Sequence, residues 1–289
     1  NSFHFSLSGG EPTFHPGYLD ILKYLASDVD NTNYTSIHMT SNCSRPIKWF
    51  EQYVEYAKPF HRASITASLH TEHLNTRDKM QDFADKLILC QEHDVQVTIN
   101  MVMVPAWFEK DWENALFFHE QGINVTLKPQ SDPTASKVVD GYKEEDLKRL
   151  WNGMPQRAYT ELKRIWQDRP KPKFEIPKDM MYMPDAKVPW HMQVEFRDSK
   201  GDPWYMDQAE RFNAFNFNKF KGWNCNAGYQ GIIIREPDGS IKRSYSCHDA
   251  PLGNIETGFK LFDSPMPCMT ESCVSSADSK IPKRKVNAL

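Results

Sequence analysis

The chain has 289 residues, with 35 Lys+Arg against 38 Asp+Glu and a formal net charge of −3. That balance excludes a general polyanion binder, and a hydrophobic fraction of 39% with 8 Trp excludes a wholly disordered chain. No apolar run approaches the roughly 18–20 residues that a membrane-spanning helix needs, so neither a membrane nor a nucleic-acid partner is expected.

Residues 3–8 (FHFSLS) read as a short strand that ends in Gly9-Gly10. From His15 onward, Tyr18, Leu19, Ile21, Leu22 and Leu25 fall at helical spacing. Residues 34–40 (YTSIHMT) read as a second strand. Residues 44–57 read as a helix with Pro46 in its first turn, Ser44 as its N-cap, and Trp49, Phe50, Tyr53 and Val54 on one face. A strand at 63–69, an amphipathic helix at 77–92, a strand at 95–104, a helix at 110–120 and a strand at 124–128 follow. Five strands alternating with four helices predict an α/β fold with a parallel sheet, whose functional loops lie at the carboxyl ends of its strands.

Residues 144–167 read as a helix bent at Pro155. Residues 168–190, rich in Pro and Lys, read as an extended connector. The aromatic stretch that holds Trp190, Trp204, Tyr205, Phe212, Phe215, Phe217, Phe220 and Trp223 reads as core packing, with a pocket lining as the alternative. Residues 231–235 and 240–245 flank Asp238-Gly239, a strong hairpin signal. The basic tail 280–285 (KIPKRK) reads as a solvated charge run. The organisation expected is a core at 1–167, a connector that could line a substrate site at 168–221, and a small cysteine-bearing domain at 222–289. The chain opens on a strand without Met or an apolar leader, so an upstream piece is expected to precede it.

The strand ends carry polar groups that could serve chemistry. In Ser8-Gly9-Gly10-Glu11-Pro12 the glycines let the backbone pass close to a ligand, and Glu11 offers an acceptor for an amine. A tight turn with an incidental acid is the alternative. The second strand ends in Ser41-Asn42-Cys43-Ser44. The third ends in Ser68-Leu69-His70, and the nearby Glu72 and His73 read as solvated groups rather than metal ligands. Asn100 interrupts an apolar run, as a satisfied core group or as a ligand contact.

The 6 cysteines are too sparse for a disulfide scaffold. Cys225 precedes the hairpin and Cys247 follows it, so the hairpin can bring them together. Cys268 and Cys273 can add two ligands from one loop. Thiolates suit an iron–sulfur cluster or zinc, and buried free thiols are the third reading.

The run Phe5-Ser6-Leu7-Ser8-Gly9-Gly10-Glu11-Pro12 resembles the second strand and GGEP motif of the radical S-adenosylmethionine (SAM) enzymes. Ser41-Asn42-Cys43 stands where that family often has Thr-Asn-Gly. Ser68 matches a serine near the SAM carboxylate or ribose, and Asn100 a polar residue near the ribose. The resemblance covers residues 3–130 and implies strands two to six of a partial (β/α)6 TIM-like barrel. Gly9, Gly10, Glu11 and Pro12 would then hold the methionine end of SAM, with Ser41, Asn42, Ser68 and Asn100 around it. The family's CxxxCxxC loop, which binds the catalytic [4Fe–4S] cluster, is absent from this chain, and neither Cys43 nor Cys90 can replace it. Either it lies upstream, or the barrel is a degenerate, non-catalytic one with structural zinc in its tail.

The C-terminal order of cysteine, Asp-Gly hairpin, cysteine, Leu252-Gly253-Asn254-Ile255 and a final cysteine pair resembles the SPASM and twitch domains that follow such cores. It implies one auxiliary iron–sulfur cluster on Cys225, Cys247, Cys268 and Cys273. Together the resemblances imply cleavage of SAM to a 5′-deoxyadenosyl radical that takes hydrogen from a peptide or small-molecule substrate. They also imply a one-electron donor such as flavodoxin or ferredoxin, and a reducing, cytoplasmic setting.

Overall fold

The computed structural model describes residues 3–27, 35–132, 138–152, 181–183, 194–197, 200, 203–207, 218–235 and 238–286. The chain divides into two compact units, Asn1–Gln130 with Asp140–Lys163, and Ser131–Val139 with Arg164–Leu289. Among the described residues, no helix is long and apolar enough to cross a membrane.

The first unit runs β1 (Phe3–Leu7), α1 (Tyr18–Ala26), β2 (Thr35–Ser41), α2 (Ile47–Ala57), β3 (Arg62–Leu69), α3 (Arg77–Glu92), β4 (Val95–Met103), α4 (Phe108–Glu120), β5 (Asn124–Pro129) and α5 (Glu144–Asn152). Its strands form one parallel sheet in the order β1-β2-β3-β4-β5. This is the expected α/β alternation. The sheet is open at β1 and β5, and no closed barrel forms among the described residues. One local expectation fails. Ser44 does not cap α2; Pro46 occupies the N-cap position, without a side-chain hydrogen bond. Ser44 instead gives its backbone N–H to Asn42 Oδ1 at 3.0 Å. Asn42 thereby closes a side-chain turn that spends the start of the helix on shaping the loop.

The two faces of this sheet differ in chemistry. Ile37, Met39, Ile65, Ala67, Val97, Ile99, Met101, Val125 and Leu127 are buried on one face. Phe50, Tyr53 and Val54 of α2, Phe83 and Leu87 of α3, and Ala115 and Phe118 of α4 are buried in the helix layer that covers the sheet. Alternation puts every second residue on the other face. There the register gives polar rows: Ser6, His38, Ser64 and Gln96; then Thr40, Thr66, Thr98 and Asn124; then Ser68, Asn100 and Thr126. Parallel sheets normally bury two apolar faces. This one presents hydroxyl, amide and imidazole groups across strands, and His38 Nδ1 stands 2.9 Å from Ser64 Oγ. The period-2 pattern of β4 (VQVTINMVM) carries that difference in sequence, although Asn100 is its only member singled out above.

The second unit runs β6 (Met181–Met183), β7 (Val194–Arg197), β8 (Pro203–Asp207), β9 (Asn224–Cys225), β10 (Ile233–Ile234), β11 (Ser240–Lys242), β12 (Gly253–Asn254), β13 (Gly258–Phe259), β14 (Met266–Pro267), α6 (Ser276–Ser279) and β15 (Lys283–Arg284). Strands β10 to β13 make a four-stranded antiparallel sheet. The Asp238-Gly239 turn lies where the hairpin signal put it, with Gly239 at φ 65 and Ser240 N–H donating to Asp238 Oδ1. Gly253 is required by close approach. At φ 140, an added Cβ would stand 2.4 Å from Gly258 O and 2.6 Å from Phe259 Cα.

A second sheet has the order β14-β9-β15-β6-β7-β8. Its strands β6, β7 and β8 fall in the stretches read as connector and aromatic packing, and Trp204 and Tyr205 lie in β8. These strands are short, and their sequence lacks a clean alternation that would have marked them. Trp190, Phe212, Phe215, Phe217 and the helix expected beyond Asn152 lie outside the described residues. The basic tail is not a solvated run. Lys280 and Lys283 are buried, and β15 is an inner strand of the sheet. Its buried ammonium is satisfied by two carbonyls, since Lys283 Nζ donates to Asp278 O at 2.5 Å and to Ile281 O at 2.9 Å.

Candidate cofactor site and cysteine cluster

At the carboxyl end of β1 the chain turns through Gly9 (φ 114) and Gly10 (φ 51). An added Cβ at either would meet nothing within 4 Å. The glycines are thus not forced by packing within the chain. They serve a left-handed backbone course that leaves its peptide groups open.

Glu11 then ties two strand ends together. Its Oε1 accepts from Thr13 N–H at 3.1 Å, Thr13 Oγ1 at 2.7 Å and Ser41 Oγ at 2.8 Å. Its Oε2 accepts from Asn42 N–H at 2.6 Å. Glu11 is also the N-cap of the short turn of 3-10 helix at Pro12–Phe14, which Pro12 starts. Arg45 adds a strut, donating from Nε to Thr13 O at 2.9 Å with its guanidinium over the Phe14 ring. Glu11, Thr13, Ser41 and Asn42 therefore form one hydrogen-bonded constellation, next in sequence to Gly9, Gly10 and Pro12. Most of the carboxylate's accepting capacity goes to the protein's own groups, with three donors on Oε1 and one on Oε2.

Cys43 continues this loop at φ 54, a conformation that disfavours most side chains. Its N–H donates to Ser41 Oγ, and its carbonyl accepts from Lys86 Nζ at 3.2 Å. Lys86 is 5% exposed and pairs with Asp82 at 2.6 Å. Burial and the Glu11 carboxylate push the Cys43 thiol up to about 12, so it stays a neutral packing group. Burial and Cys43 likewise raise the Cys90 thiol.

Ser68 and Asn100 are direct partners across β3 and β4 on the polar face. Ser41 pairs with Ala67, so the loop at Asn42 opens beside them. Asn100 Oδ1 is buried without a hydrogen-bond partner, and so are Thr98 Oγ1 and Gln96 Oε1 on the same strand. Orphaned buried acceptors in one line are the kind of group that a polar ligand or bound water completes. His70 and Glu72 are exposed and 3.7 Å apart, as solvated groups are.

The second constellation is in the other unit. Cys225, Cys247, Cys268 and Cys273 are all buried and all free thiols. Cys225 ends β9, where it pairs with Met266 of β14 and Lys283 of β15. Cys268 is fixed by its N–H to Trp223 O and its carbonyl to Gly222 N–H, both at 2.8 Å. Cys273 is fixed by its N–H to Asn218 O at 2.9 Å and by Asn218 Nδ2 to its carbonyl at 2.6 Å. The segment before Cys247 is held by Asp278, whose Oδ2 accepts from Ser246 N–H at 2.6 Å. Backbone and side-chain bonds thus fix each of the four segments in place.

The thiols themselves interact. A hydrogen bond from Cys273 holds Cys268 down at about 5, and the same bond, with burial, pushes Cys273 up. Burial raises Cys247, which has Cys268 as a charge neighbour and Arg243 as a favourable one. Among the described residues, no group of three or more His, Cys, Asp or Glu is drawn close enough to hold a metal ion. By type the four thiols are soft donors, but as placed here they do not assemble into a metal site. Two buried polar atoms beside them lack partners: Arg243 Nε and Asn218 Oδ1.

Sequence reasoning missed the residues that brace these sites. Thr13, Arg45 and Lys86 serve the first, and Asn218, Arg243, Asp278 and Lys283 the second. A Lys or Arg reads as surface in one dimension, and only the fold shows which of them is buried. No model of a known protein family matches the chain, and no curated protein matches it.

Proposed function

We propose that this chain is the larger part of a radical SAM enzyme, a partial (β/α)6 barrel followed by a twitch-like auxiliary cluster unit. The observation that carries the reading is the turn after β1. Its open glycine backbone and the Glu11 carboxylate lie beside the Ser41-Asn42 end of β2, at the edge of a polar sheet face. One layer of helices over the apolar face and a hydrophilic opposite face suit a barrel whose lumen receives polar ligands. The four buried free cysteines of the second unit follow in the order that the resemblance implies, which adds a sequence-level support.

Residues of the chain would act by position. Gly9, Gly10 and Glu11 would orient an amine through backbone groups and Oε2. Ser68 and Asn100 would take a ribose or carboxylate on the polar face. Cys225, Cys247, Cys268 and Cys273 would hold an auxiliary cluster. When bound, the catalytic cluster and SAM supply a 5′-deoxyadenosyl radical for hydrogen abstraction, with the cluster's ligands contributed from outside this chain. A peptide or small-molecule substrate, a flavodoxin- or ferredoxin-type reductant and a cytoplasmic setting belong to the same proposal.

The test is metal and sulfide analysis after anaerobic purification. About four irons with matching sulfide in this chain, and about eight when the upstream coding sequence is included, are expected. Zinc without sulfide in both would overturn the reading.

A further inference from the structure

Arg45 lies in the loop between the end of β2 and the start of α2, and it is half-buried. Its Nε donates to Thr13 O at 2.9 Å, and its guanidinium carbon stands 4.8 Å from the centroid of the Phe14 ring. Those contacts fix the plane of the fork and leave both Nη groups, with most of its donors, uncommitted. Among the described residues the fork reaches no carboxylate, whereas Arg149 ends on Glu109 and Arg243 on Asp249.

Thr13, which is fully buried, holds an acid on its other side. Its N–H and its hydroxyl donate to Glu11 Oε1 at 3.1 and 2.7 Å, while its carbonyl accepts the Arg45 bond. One residue therefore anchors a carboxylate and a guanidinium that form no ion pair with each other. Glu11 is further tied to Ser41 Oγ and Asn42 N–H, so neither charge can swing toward the other without breaking these bonds. Two fixed charges of opposite sign that stay apart are complementary to a ligand that carries both signs. An α-amino acid end, with ammonium and carboxylate on one carbon, is such a group. The turn beside Glu11 is open, since a Cβ added at Gly9 or Gly10 would meet nothing within 4 Å.

We infer that Arg45 is the carboxylate-recognising residue of this strand-end site, and that it selects ligands with an α-amino acid end over those that carry the amine alone. The inference rests on the reading of the turn as a SAM site. Forked Arg–carboxylate contacts belong to the strong class of charge-assisted hydrogen bonds. A fork already held by a carbonyl and a ring also loses little rotamer freedom on binding. An unfixed surface arginine would contribute little in the same place. Arg45 touches the ligand and takes no part in bond breaking.

The experiment titrates the protein, with its upstream coding sequence included, against two ligands by calorimetry. One is SAM. The other is decarboxylated SAM, which keeps the ammonium and the sulfonium and lacks the carboxylate. The wild type is expected to prefer SAM by about tenfold or more, and added salt should shrink that preference. Arg45→Met is expected to weaken SAM binding by about tenfold and to leave the decarboxylated ligand bound as well or better, since a cation no longer faces it. A brace without ligand contact would weaken both ligands alike. Equal losses in Arg45→Met therefore overturn the inference, as does an unchanged SAM affinity. If Arg45→Met does not fold, Arg45→Lys decides, because its loss must fall on SAM and spare the decarboxylated ligand. A wild type that binds both ligands equally overturns the inference. One that binds neither refutes the underlying SAM reading instead.

Discussion

Replacing Glu11 by Ala removes one acceptor group from four donors at once: Thr13 N–H, Thr13 Oγ1, Ser41 Oγ and Asn42 N–H. Hydrogen bonds to a charged acceptor contribute about 1.5–3 kcal/mol each. They share one side chain here, and Glu11 is only half-buried, so water can replace part of what is lost. Ser41 is 2% exposed and Thr13 fully buried, however, and their groups are poorly placed to find water. Together these limits give a loss of about 3–4 kcal/mol for Glu11→Ala. Glu11→Gln keeps one oxygen for the three Oε1 donors but points an amide N–H₂ at Asn42 N–H, for a loss of about 1–2 kcal/mol. Urea unfolding followed by tryptophan fluorescence measures both, since Trp49 packs against Tyr18, Phe50 and Tyr53 in the same unit. Hydrogen exchange at Asn42 N–H gives the local readout. A loss below about 1 kcal/mol in the Ala variant, with Asn42 still protected, would show that the latch between the strand ends is not formed in solution.

Other perturbations follow from single contacts. Gly228→Ala drives a Cβ into Phe262 and Arg243 at a positive-φ position, so the second unit should lose at least about 2 kcal/mol in thermal unfolding while the first keeps its transition. Thr98→Val removes a buried hydroxyl that has no partner, and the ligand-free protein should gain about 1 kcal/mol; a loss would mean that the hydroxyl is bonded in solution. Asp111 is buried in the first turn of α4, and desolvation raises its pKa despite the Val104 N–H that it accepts. Its native-state pKa therefore exceeds its unfolded value, and the folded protein gains stability as pH falls through that raised pKa. Asp111→Asn should accordingly stabilise at neutral pH, with the advantage shrinking toward acid; urea midpoints at pH 7 and pH 4, to be compared as a difference, decide it.

The sheet of the first unit was legible because its signals are local. Strands β2 to β5 carry β-branched residues, β1 carries aromatic ones, helix-period segments separate them, and consecutive strands are neighbours. The GGEP turn was legible because glycine has few other reasons to occur in pairs after a strand. The role of Glu11 was not, since its partners lie 30 and 31 residues away in sequence. The cap of α2 was misplaced because the helix starts at Ile47 with Pro46 at the N-cap, which leaves Ser44 two residues before it, its N–H donating to Asn42 Oδ1. In the second unit the cysteines stood out by type, while β6, β7 and β8 did not. They pair with one another as antiparallel neighbours, but strands of three to five residues carry too little periodicity to betray a face.

The place of β15 bears on the order in which the chain can be built. Residues 283–284 lie between β9 and β6, so the six-stranded sheet consists of two separate halves until they are added. The parallel sheet of the first unit has no such dependence, because every strand joins the one synthesised just before it. On a ribosome the first unit can close early, whereas the cysteine unit can close only when its last strand has left the exit tunnel. Its thiols would remain open to solvent and oxidants until then. Closure of that unit therefore follows closure of the first, and loss of residues 283–284 would reach the cysteines without removing one of them.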